Sequence, residues 1–325
     1  MTKPRIFVHS WLPDDTRIRL DQKFDLDIHN SFKSILSGQE LIDRVRGVNG
    51  IVVQGPIIDL PLINFCSKTL KIVSNVAVGI DNISVKDCSD NNIIVTNTPG
   101  VLTDAVADLS MGLLLSVARR IPEGERMVRQ DEFKGNPFPL LWGADLNGEN
   151  IGIIGMGRIG QAVAKRAKPF GLNIKYFNRN RVKEEIEKEL DAEKLNLKEL
   201  LSKCKFIVIL CPLTPETKHL ISEYELDLMR NDGFLINVAR GPIVKESALV
   251  AALKNKLIAG CALDVYEFEP KYDKMLAKMD NVVLTPHAGS ASIGARTGMV
   301  NLAVHNIEMY FKNGEVPNPV NPEIL

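Results

Sequence analysis

Residues 155–160 read Gly155-Met156-Gly157-Arg158-Ile159-Gly160, a G-x-G-x-x-G run between an apolar, strand-like segment (151–154) and a helical pattern. At this spacing the first glycine permits a tight turn and the second lets backbone approach a pyrophosphate. The third lets helix and strand pack closely. A helix opening there offers free N–H groups and a partial positive charge to phosphates, so the chemistry implied is dinucleotide binding. Another strand-like run, 174–177, completes the context. Such a strand commonly ends in an acidic residue about 20 positions on, which binds the adenine ribose. Here the chain has Asn178-Arg179-Asn180-Arg181 instead. Guanidinium groups suit a 2′-phosphate that a carboxylate would repel. NADP(H) is the expected cofactor, with NAD(H) left open.

A dinucleotide-binding sheet places its ligand outside the carboxyl ends of its strands. Three residues with useful chemistry follow such ends: Arg240 after 234–237, Glu269 shortly after 259–265, and His287 after 282–285. Together they suit reduction of a 2-oxo acid, which needs a cation for the carboxylate, a proton donor for the new alkoxide and a hydride. Arg240 can hold the carboxylate and polarise the ketone with its planar fork. His287 is the acid/base, since imidazole titrates near neutral pH. Glu269 would favour the imidazolium and fix its orientation. The remaining histidines, His9, His29, His219 and His305, lie away from these ends. With one histidine there and no cluster of ligands, a catalytic metal is not expected.

Parallel strands must position these groups. In the first hundred residues, 5–9, 50–54, 71–75 and 93–96 read as strands, with helical spacing between them as at 38–46. After the Thr98-Pro99-Gly100 break comes a long apolar helix, 104–120, then a loop at 131–150 rich in Gly, Pro and Trp. A second alternating run follows, with strands at 151–154, 174–177, 206–210, 234–237, 259–265 and 282–285. A terminal helix, 291–311, precedes a Pro- and Asn-rich tail. The class is α/β, with two doubly wound parallel-sheet units, the first of about a hundred residues and the second larger.

Bulk properties exclude other classes. Lys plus Arg and Asp plus Glu are both 40, so no net field favours nucleic acid or an anionic membrane. The longest apolar stretch, 109–118, is too short to span a bilayer. The five cysteines are an odd number without a C-x-x-C pair, which suits a reducing compartment and small apolar fillers in or near strands. Met1-Thr2-Lys3-Pro4-Arg5 lacks the core of a signal peptide, and Pro322-Glu323-Ile324-Leu325 is no peroxisomal tripeptide. The expected location is cytoplasmic.

The chain resembles the D-isomer-specific 2-hydroxyacid dehydrogenases over essentially its whole length. The resemblance is carried by Val78-Gly79-Ile80-Asp81-Asn82-Ile83, the 155–160 glycines and Cys211-Pro212-Leu213-Thr214-Pro215-Glu216-Thr217. Residues 237–241, 264–270 and Pro286-His287-Ala288-Gly289-Ser290 complete it, and the 178–181 residues look most like glyoxylate/hydroxypyruvate reductases.

The resemblance implies a Rossmann cofactor domain (101–287) inserted into a smaller flavodoxin-like substrate domain (1–100 and 288–325). It maps the Arg–Glu–His set onto Arg240, Glu269 and His287, and gives the backbone of Val76, Ala77, Val78 and Gly79 to the substrate carboxylate. It implies cofactor contacts from Thr103, Gly155, Gly157, Arg158, Ile159, Gly160, Asn178, Arg179, Asn180, Arg181, Cys211, Pro212 and Thr217. Val238, Ala239, Arg240, Asp264, His287, Ala288 and Gly289 complete that set, with Asp264 near the nicotinamide carboxamide. A homodimer is implied, with the 104–120 helix buried between subunits and Trp142 in a segment where related reductases can present an aromatic residue to the neighbouring subunit's substrate. The family often has Gly where this chain has Ala77, and that methyl narrows the carboxylate site. Intact Arg240, Glu269 and His287 argue against a non-catalytic nucleotide-sensing relative. A D-lactate or other D-2-hydroxyacid dehydrogenase using NADH stays open.

Overall fold

The computed structural model describes residues 2–29, 34–135 and 137–325. Met1 of the N-terminal run and Asn136 of the 131–150 loop lie outside them. The chain divides into two units, Met1–Leu102 with Ser292–Leu325, and Thr103–Ala291.

Among the described residues the first unit holds five parallel strands: β1 (Arg5–His9), β2 (Asp25–His29), β3 (Gly50–Val53), β4 (Ile72–Asn75) and β5 (Ile94–Thr96). Their order, β2-β1-β3-β4-β5, is the flavodoxin-like one. Strands β3 and β4 are buried throughout; β3 reads as an apolar run, and β4 ends in the buried polar pair Ser74-Asn75. Strand β2 is missed by the sequence reading. It is a half-exposed edge strand, Asp25-Leu26-Asp27-Ile28-His29, whose charges suit an edge and interrupt any continuous apolar run. The Ile293–Asn313 helix packs on β3 and β4, and Ser74 Oγ donates to the Ala303 carbonyl at 2.9 Å.

Among its described residues the second unit holds seven parallel strands: β6 (Asn150–Ile154), β7 (Asn173–Phe177), β8 (Ala192–Lys194), β9 (Phe206–Ile209), β10 (Phe234–Asn237), β11 (Gly260–Leu263) and β12 (Val282–Leu284). The order β12-β11-β10-β9-β6-β7-β8 is that of a Rossmann sheet, with its switch point between β6 and β9. Sequence reading finds six of the seven, because β8 is a three-residue edge strand, Ala-Glu-Lys. Ile207, Leu235 and Cys261 are fully buried in its core.

The unit boundaries fall after 102 and 291, where the sequence reading puts them after 100 and 287. Residues 288–291 stay with the second unit because the N–H groups of Ala288 and Gly289 bond to Asp264. All five cysteines are free thiols. Cys66 and Cys88 lie in the Leu60–Cys66 and Val85–Asp90 helices, a correction to their expected place beside strands. No helix of the described residues is long and apolar enough to cross a membrane.

Candidate active site

The turn after β6 has the shape a pyrophosphate requires. Gly155 sits at φ +104°, which L side chains rarely adopt, and a Cβ there would lie 2.5 Å from the Cys211 nitrogen. A Cβ at Gly160 would overlap the Gly155 carbonyl, so helix and strand approach closely. At Gly157, by contrast, a Cβ meets nothing within 4 Å. Gly157 caps the Arg158–Ala167 helix without a side-chain bond, leaving the first-turn N–H groups available to phosphate oxygens. The residues present fit a dinucleotide.

Past β7 the two arginines differ. Arg179 is exposed. Arg181 is tied to Glu187, with Nε 3.0 and 2.8 Å from Oε1 and Oε2 and an Nη2 contact of 2.7 Å. Tyr176 Oη also donates to that carboxylate. The bonds from Arg181 and Tyr176 hold Glu187 below the usual carboxylate range. Asn178 Nδ2 bonds to the Asn180 carbonyl at 3.0 Å. After β9, Thr217 Oγ1 donates to the Pro212 carbonyl at 2.7 Å and closes the 212–217 turn.

Arg240, Glu269 and His287 follow β10, β11 and β12, three adjacent strands of one parallel sheet. Asn237 shapes the first loop, its side chain donating to the Arg240 carbonyl at 3.0 Å and accepting from Ala239 N–H at 3.1 Å. A Cβ at Gly241 would overlap the Tyr266 carbonyl, so this loop and the Glu269 segment touch through backbone. His287 Nδ1 lies 2.8 Å from Glu269 Oε2, while Glu269 Oε1 accepts Tyr266 N–H at 3.0 Å. Burial pushes the Glu269 carboxyl up. The His287 bond and charge, the Tyr266 N–H and the Arg240 charge outweigh it and hold that carboxyl below its ordinary value. With Nδ1 engaged, Nε2 is the nitrogen left to carry a proton to a ligand. Among the described residues no group of three or more His, Cys, Asp or Glu could hold a metal ion.

In the first unit, residues 76–79 form the loop after β4. The Ala77 carbonyl accepts Thr98 N–H at 3.0 Å, the Val78 carbonyl Asn97 Nδ2 at 2.9 Å, and the Gly79 carbonyl Asn75 Nδ2 at 2.8 Å. In a planar trans peptide the N–H points opposite its carbonyl. The N–H groups of Val78, Gly79 and Ile80 are therefore turned away from these partners, and among the described residues none of them has a protein acceptor. Such a row of backbone donors suits an anion.

Residues 111–289 match the model of the D-isomer specific 2-hydroxyacid dehydrogenase NAD-binding domain. Over 329 positions the chain is 46% identical to a glyoxylate reductase of Pyrococcus horikoshii, covering 99% of this chain and 97% of that one. The chain belongs to the D-isomer specific 2-hydroxyacid dehydrogenase family. Solved relatives agree in fold. An NADPH-dependent glyoxylate/hydroxypyruvate reductase of Sinorhizobium meliloti, in complex with NADP and malonate, superposes with a TM-score of 0.86. It is 35% identical, and 98% of this chain and 97% of that one are covered. A glyoxylate reductase from Paecilomyces thermophila gives a TM-score of 0.89 at 28% identity, with 99% of each chain covered.

In this dehydrogenase the nominated cofactor residues all belong to the second unit. Gly155 and Gly157 lie in the turn after β6, with Cys211 beside it; Arg158, Ile159 and Gly160 open the Arg158–Ala167 helix, and Thr103 opens the Thr103–Ala118 helix. Val238 and Ala239 follow β10, and Ala288 and Gly289 follow β12. Asp264 is buried, accepting Thr285 Oγ1 at 2.6 Å and Ala288 N–H at 2.7 Å on Oδ1, and Gly289 N–H at 2.8 Å on Oδ2. Its anchoring of the His287 loop is not apparent from the sequence. Also missed is a second pair, His219 Nε2 at 2.6 Å from Glu267 Oε1, which ties the Glu269 segment to the loop after β9. A histidine 48 positions from its carboxylate gives no local signal.

Proposed function

We propose that this dehydrogenase reduces a small 2-oxo acid, glyoxylate or hydroxypyruvate, to the 2-hydroxy acid (the D isomer where chiral) with NADPH. The reading rests above all on the 2.8 Å pairing of His287 Nδ1 with Glu269, beside Arg240 and at the strand edge that also carries the glycine turn. The names of the Pyrococcus and Sinorhizobium relatives support the substrate class.

The fork of Arg240 holds the carboxylate and polarises the C2 carbonyl. The bound dihydronicotinamide supplies the hydride. His287 delivers the Nε2 proton to the carbonyl oxygen as charge develops there, and neutral imidazole later regains a proton from solvent. Glu269 keeps the ring oriented. The backbone of residues 76–79 contributes donors for the carboxylate, and Ala77 limits bulk there. Arg179 meets the 2′-phosphate of NADPH.

The assembly is read as a homodimer. Val128, Phe133, Phe138 and Trp142 are exposed, with Phe138 and Trp142 edge to face at 5.3 Å, an aromatic surface a second copy would cover. The Thr103–Ala118 helix already buries one face in its own unit, which leaves the side carrying Asp104, Asp108 and Gly112 to a partner. A cytoplasmic location suits the free thiols.

The deciding experiment measures oxidation of NADPH and NADH with glyoxylate, hydroxypyruvate, pyruvate and larger 2-oxo acids. Highest kcat/KM is expected with NADPH and with glyoxylate or hydroxypyruvate. A best pair of pyruvate and NADH would instead make this a D-lactate dehydrogenase.

A further inference from the structure

The loop at 76–79 owes its direction to side chains outside it. Thr98 fixes the Ala77–Val78 peptide with its own backbone, whereas the next peptide, Val78–Gly79, depends on one amide, Asn97 Nδ2, at 2.9 Å. Asn97 is itself held from behind. Its carbonyl accepts Asn306 Nδ2 at 3.2 Å, and Asn306 Oδ1 accepts Asn318 Nδ2 at 2.9 Å. Asn306 is fully buried, within the Ile293–Asn313 helix. A relay of three asparagines thus runs from the end of the chain to a single peptide plane, and the far side of that plane is the Gly79 N–H. None of these side chains carries charge or can ionise, so the device is geometric.

We propose that Asn97 is a positioning residue for the substrate carboxylate, acting by holding the Gly79 N–H toward the anion. This rests on the reading of residues 76–79 as the carboxylate site. Without the Asn97 amide, the Val78–Gly79 peptide is free to rotate, and its carbonyl can turn toward the anion in place of its N–H. A donor would then be exchanged for a repelling acceptor. The effect falls on binding of the acid rather than on proton delivery by His287 or on the dinucleotide.

Asn97→Ala and Ala77→Val are compared with the wild type in three measurements. These are steady-state kinetics with glyoxylate, calorimetric binding of oxamate (a carboxylate that is not reduced) to enzyme saturated with NADPH, and thermal melting. For Asn97→Ala, the KM for glyoxylate and the Kd for oxamate should both rise about tenfold, the size of one lost hydrogen bond to a charged group. Its kcat should stay within about threefold and its KM for NADPH within about twofold of wild type. Unchanged KM and Kd would overturn the proposal. So would a fall in melting temperature of several degrees with equal losses in acid and NADPH binding, which marks a merely structural residue. Ala77→Val separates the two levels, because its added methyl groups crowd the anion directly. If it weakens oxamate binding and Asn97→Ala does not, only the role of Asn97 fails. If neither variant does, the carboxylate site is elsewhere.

Discussion

Asp264 accepts the N–H of Ala288 on one carboxylate oxygen, at 2.7 Å, and the N–H of Gly289 on the other, at 2.8 Å. His287, the preceding residue, sits at φ +53°, a conformation that side chains adopt at a cost. The buried carboxylate offsets that cost by meeting backbone donors that would otherwise be unpaired. Asp264→Asn should turn an NH2 group against one of them. We expect a loss of about 1–3 kcal/mol in stability, the penalty for a buried unmet donor. It should appear as a melting temperature lower by several degrees, with kcat reduced more than NADPH affinity. A variant melting and turning over like wild type would show that the loop holds without the carboxylate.

Arg181 and Arg179 should behave differently, since Arg181 is already committed to Glu187. Arg179→Ala should cut the NADPH over NADH preference roughly ten- to a hundredfold, the value of one hydrogen bond to a charged group. Asn178→Asp added to it should carry the preference to NADH, since aspartate accepts ribose hydroxyls and repels a 2′-phosphate. Arg181→Ala should leave the ratio close to wild type and lower the melting temperature. The preference should weaken with salt. Kinetics with both cofactors at two ionic strengths tests this, and a larger loss of preference from Arg181→Ala than from Arg179→Ala would reverse the assignment.

What the sequence made legible follows from how parallel sheets are built. Buried strands such as β3, β9 and β10 are apolar or nearly so along their length, so their carboxyl ends, and with them Arg240 and His287, can be located without a structure. The edges escape this logic: β2 alternates charge with apolar residues and β8 has three residues. Long-range partners escape it too. Nothing near Asp264 announces that its carboxylate accepts from N–H groups 24 and 25 positions on. The commitment of Arg181 to Glu187 needs the Glu184–Leu190 helix to fold back toward β7, which charge counting at 178–181 does not reveal.

The Glu269 carboxyl, held below its ordinary value, makes a signed pH prediction. A lowered folded pKa stabilises the native state at pH values above the unfolded pKa, near 4.5, and that contribution is lost as pH falls through the folded value. Wild type should therefore melt higher than Glu269→Gln near pH 7, and the gap should close as the pH drops below about 4. Thermal melts of both proteins across that interval check it. A gap that stays constant or widens toward acid would mean that the carboxylate is not stabilised by His287 and its neighbours.

Thr98 Oγ1 is buried and meets no protein hydrogen-bond partner among the described residues, although the Thr98 backbone N–H serves Ala77. Thr98→Val keeps the shape and removes the unmet hydroxyl. It should raise stability by about 1 kcal/mol in denaturant unfolding and leave the KM for glyoxylate unchanged. A destabilised variant would show that the hydroxyl has a partner in solution.

The central assignment, His287 as the proton donor to a 2-oxo acid, is tested most directly by single-turnover oxidation of bound NADPH by saturating glyoxylate. The measurement is made for wild type and His287→Ala, with NADPH affinity determined alongside. Placed acid/base groups contribute about 10²–10⁴-fold, so the variant should lose a factor in that range while binding NADPH within about twofold of wild type. A variant that keeps more than about half the wild-type rate would contradict the assignment and move the proton donor to another group.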